Sequence, residues 1–99
     1  MLTDEQIKKV VTEYFQDKPV KKVYLFGSYA RREATEASDV DLSFVLDDDA
    51  HLSYFTLAGY LLELERKLNR KVDLVEEKQI YESIRPAIDR SKVLMLEKC

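Results

Sequence analysis

The sequence predicts an α+β fold of α/β-like character, a small mixed β-sheet flanked by helices, and three observations point to it. Short apolar runs, Val23-Tyr24-Leu25-Phe26, Val40–Leu46 and Lys71–Val75, have the length and alternation of strands. Longer stretches, near residues 3–16 and 52–68, repeat their apolar residues at helical spacing. The second and third strand candidates are separated by the longer helix, and a strand–helix–strand order needs a crossover that sets those two strands parallel.

Each element has a local cause. Thr3-x-x-Gln6 is a capping box, in which each side chain satisfies a free backbone donor near the other. Ile7, Val10, Val11 and Tyr14 then form one apolar stripe of a helix reaching about Gln16, and Pro19 stops it before the first strand. After Phe26, Gly27-Ser28 makes a tight turn into a short helix. In the second strand Val40, Leu42, Phe44 and Leu46 share the core face, which leaves Asp39, Asp41 and Ser43 on an open, acidic one. Asp47-Asp48-Asp49 reads as a solvated turn, since three adjacent carboxylates cannot all face one ion. His51, the only histidine, reads as a cap or surface group at the start of the long helix.

That helix, from about Leu52 to Leu68, ends near Asn69, which tolerates a left-handed conformation. It carries two apolar lines, Phe55/Ala58/Leu62 and Leu57/Leu61/Leu64/Leu68, although one suffices to cover a sheet. The longer line is either packed deep in the core or an interface for a partner or a second copy of the chain, with Glu65 and Arg66 as rim charges. Val72 and Leu74 face the core, sending Asp73 to the acidic face. Pro86 opens a last short helix, and Val93–Leu96 is a final strand or a packed tail.

The chemistry lies in the Gly-Ser turn and the aspartates. A helix entered through Gly27-Ser28 offers free N–H groups and a hydroxyl to phosphate oxygens. Asp39 and Asp41, at i and i+2 on a strand, point the same way, roughly 7 Å apart along the chain. That spacing suits two divalent cations about 4 Å apart. Asp73 supplies a third carboxylate if its strand lies beside theirs; the plain alternative for all three is solvation of a polar strand face.

Gly27-Ser28-x-Ala30-Arg31, followed by Ser38-Asp39-x-Asp41-Leu42 and a later strand aspartate, Asp73, resembles the DNA polymerase β-type nucleotidyltransferase superfamily. The resemblance runs from about Val20 to the last residues, and the short length is similar to that of its minimal nucleotidyltransferases. It implies a polymerase β palm-like fold. Many minimal members are the antitoxin half of a pair whose other half is a helical HEPN-domain ribonuclease.

Carried over, the resemblance implies that Gly27 and Ser28 contact the triphosphate of ATP, with Arg31 and Ser38 beside them in the nucleotide site. Asp39, Asp41 and Asp73 hold two Mg2+ ions, with Asp73 near the attacking hydroxyl as a candidate general base. Arg31 has a plain alternative, a surface ion pair with a nearby glutamate. One departure concerns Arg32, where family members often have glycine; the expectation here is a helix that continues through it.

The expected activity is transfer of AMP from ATP to a hydroxyl, on a HEPN toxin, by the antitoxin of a type VII-like toxin–antitoxin system. Two alternatives stay open: an antitoxin that only masks the ribonuclease by binding, and a homodimeric enzyme acting on a small molecule. The 99 residues suit one domain, 1–99, with 45% apolar residues, 2 glycines and 2 prolines and no linker or repeat. A net charge of −3 argues against non-specific nucleic-acid binding. Cys99 is the single cysteine, so no intramolecular disulfide forms and no zinc cluster is suggested. With no signal peptide or transmembrane run, the expected location is cytoplasmic and no membrane partner is expected. The 35% charged content is the one hint of a heat-loving source.

Overall fold

The structure, a computed structural model, describes residues 2–98; Cys99, and with it the expectation about disulfides, lies outside the described residues. Helix α1 spans Asp4–Phe15 and is closed by the expected capping box: Thr3 Oγ1 accepts from the Gln6 N–H (3.1 Å) and Gln6 Oε1 from the Thr3 N–H (2.9 Å). Its far end is held by Lys98, whose ammonium donates to the Phe15 and Lys18 carbonyls at 2.6 and 2.8 Å. The Phe15 carbonyl is one that the last turn of a helix leaves without an intrahelical partner, and the Lys18 carbonyl belongs to the turn after it.

Strand β1 (Val20–Phe26) starts three residues earlier than Val23, because Val20 is itself buried and pairs with Leu46. The short helix α2 (Gly27–Ala30) follows at once, then β2 (Val40–Leu46), α3 (Tyr54–Leu68) and β3 (Val72–Glu76). A 3-10 turn, Glu77–Gln79, and helix α4 (Arg85–Ser91) lead to β4 (Val93–Glu97), so the last apolar run is a strand. The sheet order is β3-β2-β1-β4, with β2 and β3 parallel and the other pairs antiparallel. The crossover through α3 sets that parallel pair, as its strand–helix–strand order requires.

Val23 and Leu25, Val40, Leu42 and Phe44, and Val72 and Leu74 fill one sheet face. Ile7, Val11, Tyr14 and Phe15 of α1 and Tyr60, Leu64 and Leu68 of α3 close this core. Tyr14, Phe15 and Tyr60 meet edge to face, with ring centres 5.1–5.8 Å apart. The two lines of α3 are thereby resolved. Leu64 and Leu68 are core, Leu57 and Leu61 pack against it, and the exposed line is Phe55 (91% exposed) and Leu62 (62%). Glu65 is not a rim charge: its Oε2 accepts the Val72 N–H at 3.0 Å and fixes where β3 begins.

The second face departs from the open, acidic surface expected of it. Register places Phe26, Asp41 and Asp73 in one row, and Tyr24, Ser43 and Val75 in the next. The first of these rows is only partly covered. In the second, Ser43 is 1% exposed, because the 3-10 turn packs on β2. The ammonium of Lys92 lies 4.2 Å from the centre of the Tyr24 ring in the same row. Asp47–Asp49 form the expected turn, in which Asp48 pairs with Lys21 at 2.9 Å.

Candidate active site

The candidate residues gather at one end of the sheet, where β1 passes into α2. Gly27 has φ +72, a conformation costly for any residue with a side chain. It also lies against Asp41. A methyl group on Gly27 would overlap Asp41 Oδ2 and stand 3.0 Å from its Cγ. A glycine is therefore needed twice, for the turn and for the space the carboxylate occupies. Helix α2 keeps Tyr29 in the core (3% exposed), which anchors the turn.

Asp41 and Asp73 are direct partners across the parallel pair β2–β3, their Cα atoms about 4.8 Å apart by the spacing of neighbouring strands. Asp39, one residue before β2, is exposed, as is Asp73, whereas Asp41 is half-buried. Burial, then Asp73, then Asp39 push the Asp41 carboxyl up from its ordinary 3.8 to about 6, with Arg31 acting the other way. Asp41 thus feels both neighbouring carboxylates, as the matching strand faces imply. Among the described residues no three His, Cys, Asp or Glu side chains are drawn together into a ready-made metal cage.

Arg31 and Ser38 are engaged elsewhere. Arg31 Nε donates to Glu33 Oε1 at 2.6 Å, the alternative that the sequence left open, and both side chains are half or more exposed. Ser38 Oγ accepts the Thr35 N–H at 2.8 Å, and the Ser38 N–H donates to the Thr35 carbonyl at 3.0 Å, so this serine closes the loop before Asp39. His51 is exposed, on the chain leading into α3.

Arg32 corrects an expectation. The helix does not continue through it: Arg31 is the cap, and Arg32 has φ +60, a left-handed conformation. That explains why glycine suits this position. An arginine pays strain there, and its side chain lines a cavity with Leu2, Thr3, Asp4, Glu5 and Tyr29 near the start of α1. Sequence reasoning missed another feature. Ile80, Tyr81, Ile84 and Ile88 build an apolar wall beside Asp73. Only the i, i+4, i+8 spacing of the three isoleucines hinted at it.

Fold and site together define a class. The sequence matches the family Polymerase beta, Nucleotidyltransferase over residues 5–98, and the chain belongs to that family of nucleotidyltransferase enzymes. A Methanocaldococcus jannaschii protein, provisionally named a protein adenylyltransferase, is 38% identical over 85 residues, covering 82% of this chain and 85% of its own length. The protein adenylyltransferase MntA of Thermococcus cleftensis is 33% identical over 98 residues, covering 94% of this chain and 96% of its own. Among solved structures, a tri-AMPylated Shewanella oneidensis HEPN toxin in complex with an MNT antitoxin contains a similar chain. That likeness has TM-score 0.73 at 16% identity, over 97% of this chain and 74% of the other, and is one of fold. Among the described residues no helix is long and apolar enough to cross a membrane.

Proposed function

We propose that this chain is a cytoplasmic antitoxin, one domain over 1–99, that transfers AMP from ATP to a hydroxyl of a HEPN-domain toxin. The observation that carries the reading is the contact of Gly27 with Asp41, which joins a phosphate-binding turn to a row of carboxylates at one place. The names of the archaeal relatives support the adenylyl group and a protein acceptor, and the Shewanella complex supports a HEPN partner.

Gly27 and Ser28 bind the triphosphate through backbone N–H groups and the Ser28 hydroxyl at the start of α2. Arg31 leaves Glu33 for a phosphate oxygen, and Ser38 holds the loop that presents Asp39. Asp39, Asp41 and Asp73 fit hard divalent cations, because an all-oxygen, anionic set with a raised Asp41 is relieved by positive charge. Bound there, two Mg2+ ions would neutralise the triphosphate and acidify the acceptor hydroxyl. The acceptor oxygen forms a bond to the α-phosphorus as the bond from that phosphorus to the bridging oxygen breaks. Pyrophosphate leaves with the electron pair, and the hydroxyl proton passes to Asp73. Most of the rate comes from position and charge stabilisation.

The test is intact-mass measurement of a HEPN protein from the same genome after incubation with this chain, ATP and Mg2+. The expected result is a gain of one or more AMP units, lost in Ser28→Ala and Asp39→Asn. An unmodified HEPN protein that is nonetheless inhibited contradicts the enzymatic reading and leaves masking by contact.

A further inference from the structure

A slot of about 320 Å³ opens at the edge strand β3, beneath α4. Its walls are Leu57 of α3, Asp73 of β3, and Ile80, Tyr81, Ile84 and Ile88 on the way through α4. Two features of the lining decide what it suits. No lysine or arginine lines it, so it offers no cationic side chain of its own to a phosphate. Its walls are mostly apolar, so it takes a hydrophobic group.

The rim is apolar and exposed as well. Tyr81 is 77% exposed and Ile84 49%, while Tyr54, one turn before Leu57 on the same flank of α3, is 88% exposed. A nucleotide base inside the slot would leave that rim in water; a docked polypeptide covers it. Large aromatic and aliphatic side chains around a pocket are what protein interfaces use as anchors. The slot also shares Asp73 with the carboxylate row, so whatever fills it lies beside the group that takes the acceptor proton.

We infer that this slot is the docking site for the acceptor protein, and that it receives an apolar side chain neighbouring the hydroxyl to be modified. The inference rests on the reading that the acceptor is a protein.

Tyr81→Ser and Ile84→Ser test it. Both side chains are substantially exposed, so the variants should melt close to wild type. With a HEPN protein from the same genome as acceptor, the expected result is a KM for that protein raised by roughly tenfold or more, with kcat and the KM for ATP little changed. Unchanged KM for the protein in both variants overturns the docking site while leaving adenylyl transfer intact. A raised KM for ATP alone also overturns it and assigns the slot to the base. If wild type transfers no AMP to the HEPN protein, the reading beneath the inference falls, and the inference with it.

Discussion

Asp41 carries a cost in the ligand-free fold, and replacing it with asparagine measures that cost. Its carboxyl is raised from 3.8 to about 6 by burial and by Asp73 and Asp39. The folded state therefore holds this proton more tightly than the unfolded state does. The penalty is absent below about pH 4, grows between the two values, and is complete above about pH 6. At 1.36 kcal/mol per unit the shift corresponds to about 3 kcal/mol. Asp41 is only half-buried, so solvent screening reduces this to about 1–2 kcal/mol.

Asp41→Asn keeps the shape and removes the charge. It should be more stable than wild type by that amount at pH 7.5, or roughly 4–16 °C in Tm for a domain of this size. At pH 3.5 the two proteins should be nearly equal. Urea titration followed by circular dichroism at both pH values, without metal or nucleotide, gives the difference directly. A variant no more stable at pH 7.5, or one equally stabilised at both, refutes the claim that burial and the neighbouring carboxylates penalise the Asp41 charge. The same variant should lose the Tm gain that Mg2+ and ATP give wild type, through loss of binding to the folded state.

Three further outcomes follow from particular contacts. Gly27→Ala should cost about 1–2 kcal/mol for its left-handed backbone and, by displacing the Asp41 carboxylate, abolish the Mg2+-ATP thermal shift; a normal shift in a folded variant would contradict the close approach. Arg32→Gly should raise stability by about 1 kcal/mol in urea titration, because it relieves a φ of +60; an unchanged or lowered midpoint would show that the arginine's packing outweighs its strain. Leu64→Ala should cost about 2–5 kcal/mol as a fully buried core truncation, whereas Phe55→Ser should change the melting point little, and the reverse order would contradict the assignment of the two α3 lines.

Much of the fold was legible because local chemistry and tertiary packing agree here. The capping box, the left-handed Asn69, the Pro86 helix start and the core face Val40, Leu42 and Phe44 are each set by local chemistry, and each is realised. The Asp41–Asp73 neighbours were legible for a related reason, since matched strand faces on a parallel pair put them side by side. The close approach of Gly27 to Asp41 was not read from the sequence. What was not legible depends on elements distant in sequence. Ser43 alternates as an outward residue, yet the 3-10 turn more than thirty residues later closes over it. The two α3 lines are both apolar, and the packing of α3 on α1 and β3 selects Leu64 over Leu62. Arg32 left no trace of its left-handed backbone, since arginine carries no conformational signal there. The slot beside Asp73 was hidden because Ile80, Ile84 and Ile88, though four residues apart, lie at the end of a 3-10 turn, in a loop and on α4 rather than on one helix.

Turnover separates the central claim from its nearest rival. A HEPN ribonuclease from the same genome, incubated with about one-twentieth of its molar amount of this chain plus ATP and Mg2+, should lose nearly all its activity with time. It should stay inactive after the chain is removed, since the AMP is covalently attached. Omitting ATP, or using Asp39→Asn, should leave the ribonuclease active at that ratio. Inhibition that needs a full molar equivalent, proceeds without ATP, and reverses when the chain is removed would contradict adenylyl transfer as the mode of neutralisation.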